Sequence, residues 1–181
     1  MARIELRGAT LKIQSGVIGA GTPESVELKM DSGALTFTET KNWNYNLDRG
    51  HLDTVTQGDD SPMSVTLNGV WERLLSTAAE DPTPYEAIKG IGNASTWLPA
   101  SAAAGEDCPS YNVNIVVENR PPYCEGALNL GERLIFPQFR FDTIDGSLAD
   151  GTLTFTGQCN ALEPIIESFP LEAPDIEGID P

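Results

Sequence analysis

A period of two runs through this chain, and it restricts the fold more than any other feature. Leu11 and Ile13 bracket Lys12, Val26, Leu28 and Met30 alternate with Glu27 and Lys29, and Leu35 and Phe37 alternate with Thr36 and Thr38. The spacing returns in Met63, Val65 and Leu67, and in Tyr111, Val113, Ile115 and Val117 with Asn112 and Asn114 opposite. It returns once more in Leu153 and Phe155, set between Thr152, Thr154 and Thr156. Successive strand side chains point to opposite faces. Each run therefore predicts a strand with one face on a core and the other on water or a partner.

Turn chemistry separates the runs. Asp31-Ser32-Gly33 reads as a tight hairpin loop, and Asp145-Gly146 and Asp150-Gly151 read as turns before the last strong strand. Between Glu132 and Asp142 the phase changes: Leu134 and Phe136 share one parity, Phe139 and Phe141 the other, with Pro137 between them. Proline cannot donate to a ladder, so a bulge or an edge position is expected there.

One helix is signalled. Thr83-Pro84-Tyr85-Glu86 is a capping box, with Thr83 as N-cap, Pro84 in the first turn and Glu86 reaching back. Gly90 is placed to end it. Residues 71–75 are expected to add a short helical turn. The chain thus reads as mainly β, a sandwich or barrel with one short flanking α-helix. Its 181 residues divide into a single β domain, 1–170, and an acidic, Pro-rich tail, 171–181. The loops 93–110 and 119–131 are long enough to suggest functional contacts.

Charge excludes one large class. Twenty-seven acids stand against eleven bases, a net charge of −16, and no Lys, Arg or His follows Arg140. Gripping nucleic acid requires cations that displace condensed counterions, and this chain has few. An acidic surface still suits a protein that must not adhere to DNA. The three cysteines, Cys108, Cys124 and Cys159, form no CxxC pair, so neither a disulfide framework nor a zinc site is expected, and all three are read as reduced. Residues 1–7 lack an apolar run, and no stretch has the roughly 18 apolar residues of a membrane helix.

Catalytic chemistry finds no anchor. His51 is the only histidine and no GxSxG elbow occurs, so a nucleophile–His arrangement is not expected. Asp142, Asp145 and Asp150 lack the spacing of a calcium loop. The glycines at 16, 19 and 21 are in the wrong order for a dinucleotide fingerprint. No catalytic, cofactor or metal residue is assigned, and the chain is read as a non-enzyme. Trp43, Tyr45, Trp71 and Trp97 suit either a sugar-stacking platform or core and interface anchors.

Residues 35–75, LTFTETKNWNYNLDRGHLDTVTQGDDSPMSVTLNGVWERLL, carry a resemblance. A strand leads through a long polar segment with a D-R-G turn and a GDD-P step into another strand, and the capped TPYEAIKG helix follows. The later segment ERLIFPQFRFDTIDGSLADGTLTFTGQCNA supplies closing strands. Together these resemble the tail tube subunits of long-tailed bacteriophages over about two-thirds of the chain. The resemblance implies a tail-tube β fold, six-fold rings whose sheets merge into one barrel, and stacking of rings into a tube with an acidic lumen. It implies a virion location after assembly in the host cytoplasm. The implied partners are other copies, the tape-measure protein and the tail terminator, while DNA passes without specific binding. A type VI secretion-like tube or another phage connector or decoration protein belongs to the same class. A carbohydrate-binding β-sandwich is the competing one.

Two residue sets follow. The segment 41–60 is expected to be an assembly loop, with Trp43, Tyr45, Arg49, His51 and Asp53 at the subunit interface. The hydroxyl faces of the two Leu-Thr-Phe-Thr strands are expected to line the lumen through Thr36, Thr38, Thr152, Thr154 and Thr156, with no Lys or Arg among them.

Overall fold

The computed structural model describes residues 9–16, 22–28, 30–70, 75–76, 81–101, 110–119, 130–147 and 149–170. Among the described residues, ten strands and one α-helix follow in the order β1 (Ala9–Gln14), β2 (Ser25–Leu28), β3 (Met30–Thr38), β4 (Trp43–Asp48), β5 (His51–Gln57), β6 (Met63–Val70), α1 (Pro84–Lys89), β7 (Val113–Asn119), β8 (Leu130–Ser147), β9 (Thr152–Cys159) and β10 (Ile165–Pro170). The fold is mainly β and sandwich- or barrel-like.

Eight of these strands form one antiparallel sheet in the order β2-β1-β7-β8-β9-β6-β3, with β10 also on β8. The path curls round until its two ends approach at one corner. β2 and β3 stand at its opposite ends, yet only one residue of chain separates them. Two Cα–Cα steps span at most about 7 Å, so the two ends meet at that corner. A Cβ at Gly69 of β6, the partner of Met30, would collide with the Leu28 side chain of β2, so β2 lies against β6 at that corner. The second corner is β8, 18 residues long. Its first half pairs with β7 and β10, and its second half with β9. Strands that pass from one layer to the other at bends and bulges are how such corners are built.

The bulge expected at Pro137 is there. Val113 pairs with Phe139 but Ile115 with Phe136, so β8 carries one extra residue across that interval. Gln138 takes a positive φ of 51° and its N–H donates to Asn114 Oδ1 at 3.0 Å. The phase change lets Phe136 and Phe139 both enter the core. Asp31-Ser32-Gly33, in contrast, makes no hairpin. These residues lie inside β3, where its pairing with β6 shifts between Met30 and Leu35, and β2 pairs with β1 instead. Local turn chemistry yields here to the corner that closes the sheet.

The core lies between the layers and is built from the alternating residues: Leu11, Ile13, Met63, Val65, Leu67, Ile115 and Phe155 are all buried. α1 caps it through Ala87 and Ile88. The helix starts and stops as its sequence dictates. Glu86 N–H donates to Thr83 Oγ1 at 3.3 Å, Thr83 N–H donates to Glu86 Oε2 at 2.8 Å, and Gly90 ends the helix at φ 64°. Trp97 joins the core cluster. The residues 71–74, Cys108, Cys124 and the tail 171–181 lie outside the described residues.

Candidate functional site

The outward face of β3-β6-β9-β8 is a ledger of aligned polar residues. Thr36 pairs with Thr66, Thr66 with Thr156, and Thr156 with Thr143. One row along, Thr38, Ser64, Gln158 and Arg140 stand in line. In the other direction come Asn68, Thr154 and Asp145, then Val70, Thr152 and Ser147. Residues two apart on a strand share a face. The five threonines singled out from sequence therefore share one face, and the hydroxyl and amide groups of β6 fill the gap between them. The side chains bond across strands: Thr154 Oγ1 donates to Asn68 Oδ1 at 2.8 Å, and the Thr66 and Thr156 hydroxyls are 3.5 Å apart. Thr36 and Thr38 are exposed, and Thr152, Thr154 and Thr156 are half-buried by their neighbours.

The face does hold a cation: Arg140 follows the buried Phe139 and pairs with Gln158, which puts it on the threonine side. The two bulges of β8 hid this parity from the sequence. The Arg140 Nε is buried without an acceptor.

Both margins of this face are open among the described residues. β3 is the end of the sheet path. On β8, β7 occupies the side away from β9 only as far as Phe139, so residues 140–147 have a strand neighbour on one side alone. Unpaired strand edges are templates for another chain. Each margin also carries a phenyl group on the core side that the core fails to cover: Phe37 is 43% exposed and Phe141 is 38% exposed. They belong to one row, Phe37, Val65, Gly157 and Phe141.

The segment 41–60, expected to be a loop, is a β-hairpin. β4 and β5 pair with each other as a separate two-stranded sheet. The two-residue turn requires positive φ at both positions, and Arg49 at 51° and Gly50 at 83° provide it. The base is fastened: Asn42 Nδ2 donates to Asp59 O at 2.8 Å and to Ser61 Oγ at 2.9 Å, and Gly58 N–H to Asn42 O at 2.8 Å. Trp43, Tyr45 and Leu47 share a face of β4, with Val55 opposite Tyr45 and Leu52 opposite Leu47. All five are at least 44% exposed.

The predicted interface residues do not share that face. Trp43 and Tyr45 are on it, Arg49 is in the turn, and His51 pairs with Asp48 next to the turn. Asp53 is the extra residue of β5 where the pairing shifts. Leu47, Leu52 and Val55 were missed; their alternation with Asn46, Asp53 and Thr54 held the signal, obscured by that shift. Of the platform set Trp43, Tyr45, Trp71 and Trp97, Trp97 is buried in the core and Trp71 lies outside the described residues. Among the described residues no cluster of three or more His, Cys, Asp or Glu could hold a metal ion. The Asp150 carboxylate instead accepts from Ser147 Oγ at 2.7 Å in the β8–β9 turn.

The opposite face of the barrel carries a buried charge. Glu118 on β7 is ion-paired with Lys12 of β1 at 2.9 Å and with Arg133 of β8 at 2.8 Å, and only 2% of its side chain is exposed. Burial of a carboxylate demands such partners. This group ties three strands together. No family model matches the chain, and no curated protein matches it either.

Proposed function

We propose that this chain is a non-enzymatic virion structural protein, the subunit of a phage tail tube whose six-fold rings stack into a conduit for DNA. The observation that carries the reading is the polar face bounded by two open strand edges that run in opposite directions. Each of the strands β3, β6, β9 and β8 is antiparallel to the next. The first and last of an even number therefore point opposite ways. A copy rotated about an axis along the strands brings its β3 to β8 as an antiparallel neighbour. Repetition of that step closes a ring and covers both margins of the face.

On this reading Thr36, Thr38, Thr152, Thr154 and Thr156 line the channel. Hydroxyls and the Asp145 carboxylate offer phosphate no ion pair, and Arg140 sits at the margin. The chain's net charge of −16 repels the duplex further. The β4–β5 hairpin, bare in the single chain, engages neighbouring copies through Trp43, Tyr45 and the leucines beside them. Tape-measure and terminator proteins are its further partners, and the host cytoplasm is where assembly takes place.

Electron microscopy of the concentrated protein tests this: rings or tubes are expected, and a monodisperse monomer at every concentration would overturn it. The double variant Thr152→Lys, Thr154→Lys, on β9 away from both margins, should still form tubes. Each close phosphate contact releases about one counterion, so these tubes should retain duplex DNA at low salt where wild-type tubes do not. A glycan array should remain blank.

A further inference from the structure

We propose that the junction between copies is a specific pairing in which Phe37 of one copy packs on Phe141 of the next, with Thr38 of the first beside Arg140 of the second. This rests on the ring-forming reading and adds the residues that close the ring.

Three observations set the register. β7 covers its side of β8 as far as Phe139, so the open edge begins at Arg140. β3 ends at Thr38, and Thr38 stands in the same row as Arg140. A neighbouring β3 laid along residues 140–147 with Thr38 beside Arg140 thus stops where β7 begins, and the two strands fill that side of β8 end to end. The same register puts the neighbour's Phe37 beside Phe141 on the core side of the sheet. Directly opposed side chains have Cβ atoms about 5 Å apart, close enough for two phenyl rings to cover each other.

The polar side of the same register places the Thr38 hydroxyl beside Arg140. An apolar pair on one face and polar groups on the other make the junction selective for this register. A slip by one residue would put each phenyl on the polar side.

Cysteine crosslinking tests the pairing. In a background of Cys108→Ser, Cys124→Ser and Cys159→Ala, the variants Phe37→Cys and Phe141→Cys are made singly and together. Three strand spacings, about 14 Å, separate the two positions within one copy, so an intrachain link is out of reach. Oxidation should give covalent dimers when the two single variants are mixed, and none from either alone. The double variant should give a ladder ending at the closed ring. Dimers from one single variant alone would indicate a symmetric contact and overturn the pairing. Rings of the unmodified protein by microscopy, with no link in mixture or double variant, would overturn the pairing and leave the tube reading intact. A persistent monomer would sink both. A second pair leaves both phenyl groups in place: in the same cysteine-free background, Thr38→Cys mixed with Arg140→Cys should also give covalent dimers, with none from either alone. Rings of these variants without any such link would overturn the register.

Discussion

β5 and β6 are neighbours in the chain, both antiparallel strands of similar length, and their environments are opposite. In β6 alternate residues from Met63 to Gly69 are buried. In β5 every residue is exposed. β6 has a strand on each side and a packed layer below it. β5 has one partner and no layer among the described residues. The period of two is necessary for a half-buried strand and does not produce one. A second layer does that, and β4–β5 has none among the described residues. An isolated two-stranded ribbon is marginal in water. This ribbon is held by its turn and by the Asn42 and Gly58 hydrogen bonds at its base.

The largest effect tests the buried side of the contrast. Phe136 is fully buried at the bulge where β8 changes layers, and its ring lies 5.3 Å from that of Phe37. Phe136→Ala should cost about 3–5 kcal/mol, read as a fall in the urea midpoint. Excision of residues 46–54 removes the exposed ribbon's tip and should shift that midpoint far less. A comparable loss from the excision would mean that the ribbon is part of the folding unit and the comparison fails.

A second, smaller effect concerns a charged group on the buried side. Burial pushes the Glu86 carboxyl up, but hydrogen bonds from Thr83 and Ser76 reverse this and hold it below its ordinary value of 4.5. Ser76 Oγ donates to Glu86 Oε2 at 2.7 Å and Ser76 N–H at 3.1 Å. A carboxyl depressed in the folded state adds stability that is present above the ordinary value and lost as pH falls through the folded one. Glu86→Gln turns an amide donor toward these donors and should cost about 2 kcal/mol at neutral pH. It should also flatten the stability profile below pH 4.5. An unchanged acid limb in the Gln variant would break this assignment.

Much of the buried side was legible because its determinants are local. The helix from Thr83 to Gly90 is written in consecutive residues, and the Pro137 bulge is announced by a residue that cannot pair. The alternation of Met63, Val65 and Leu67 was enough to place β6 on the core. What failed was long-range. Asp31-Ser32-Gly33 has the chemistry of a turn, but its conformation is set by closure of the sheet. Glu118 reads as an outward polar residue until Lys12, 106 residues away, and Arg133 are brought to it. Phe37 and Phe141 sit at positions that alternation assigns to the core, and only the strand order reveals them as margins. Of the candidate site, the shared face of the threonines was readable from parity. Arg140 was not, because two register shifts intervene along β8.

The smallest expected change is the most discriminating. Trp43 and Tyr45 are 50% and 63% exposed, and the ribbon they stand on has no buried residue. Their removal creates no cavity and leaves no buried polar group unpaired. Surface substitutions of that kind stay within about 0.5 kcal/mol. The double variant Trp43→Ser, Tyr45→Ser should therefore melt with the wild type as a monomer, and its fluorescence should lose a solvent-exposed indole. In assembly the expectation inverts. Large aromatic side chains buried at an interface dominate its energy, at roughly 2 kcal/mol or more each. The same variant should form no tubes at concentrations where the wild type does, with its melting unchanged. Lost stability in the monomer would show that Trp43 and Tyr45 already pack within the chain. Normal tubes would show that the bare face of the ribbon is not what neighbouring copies cover.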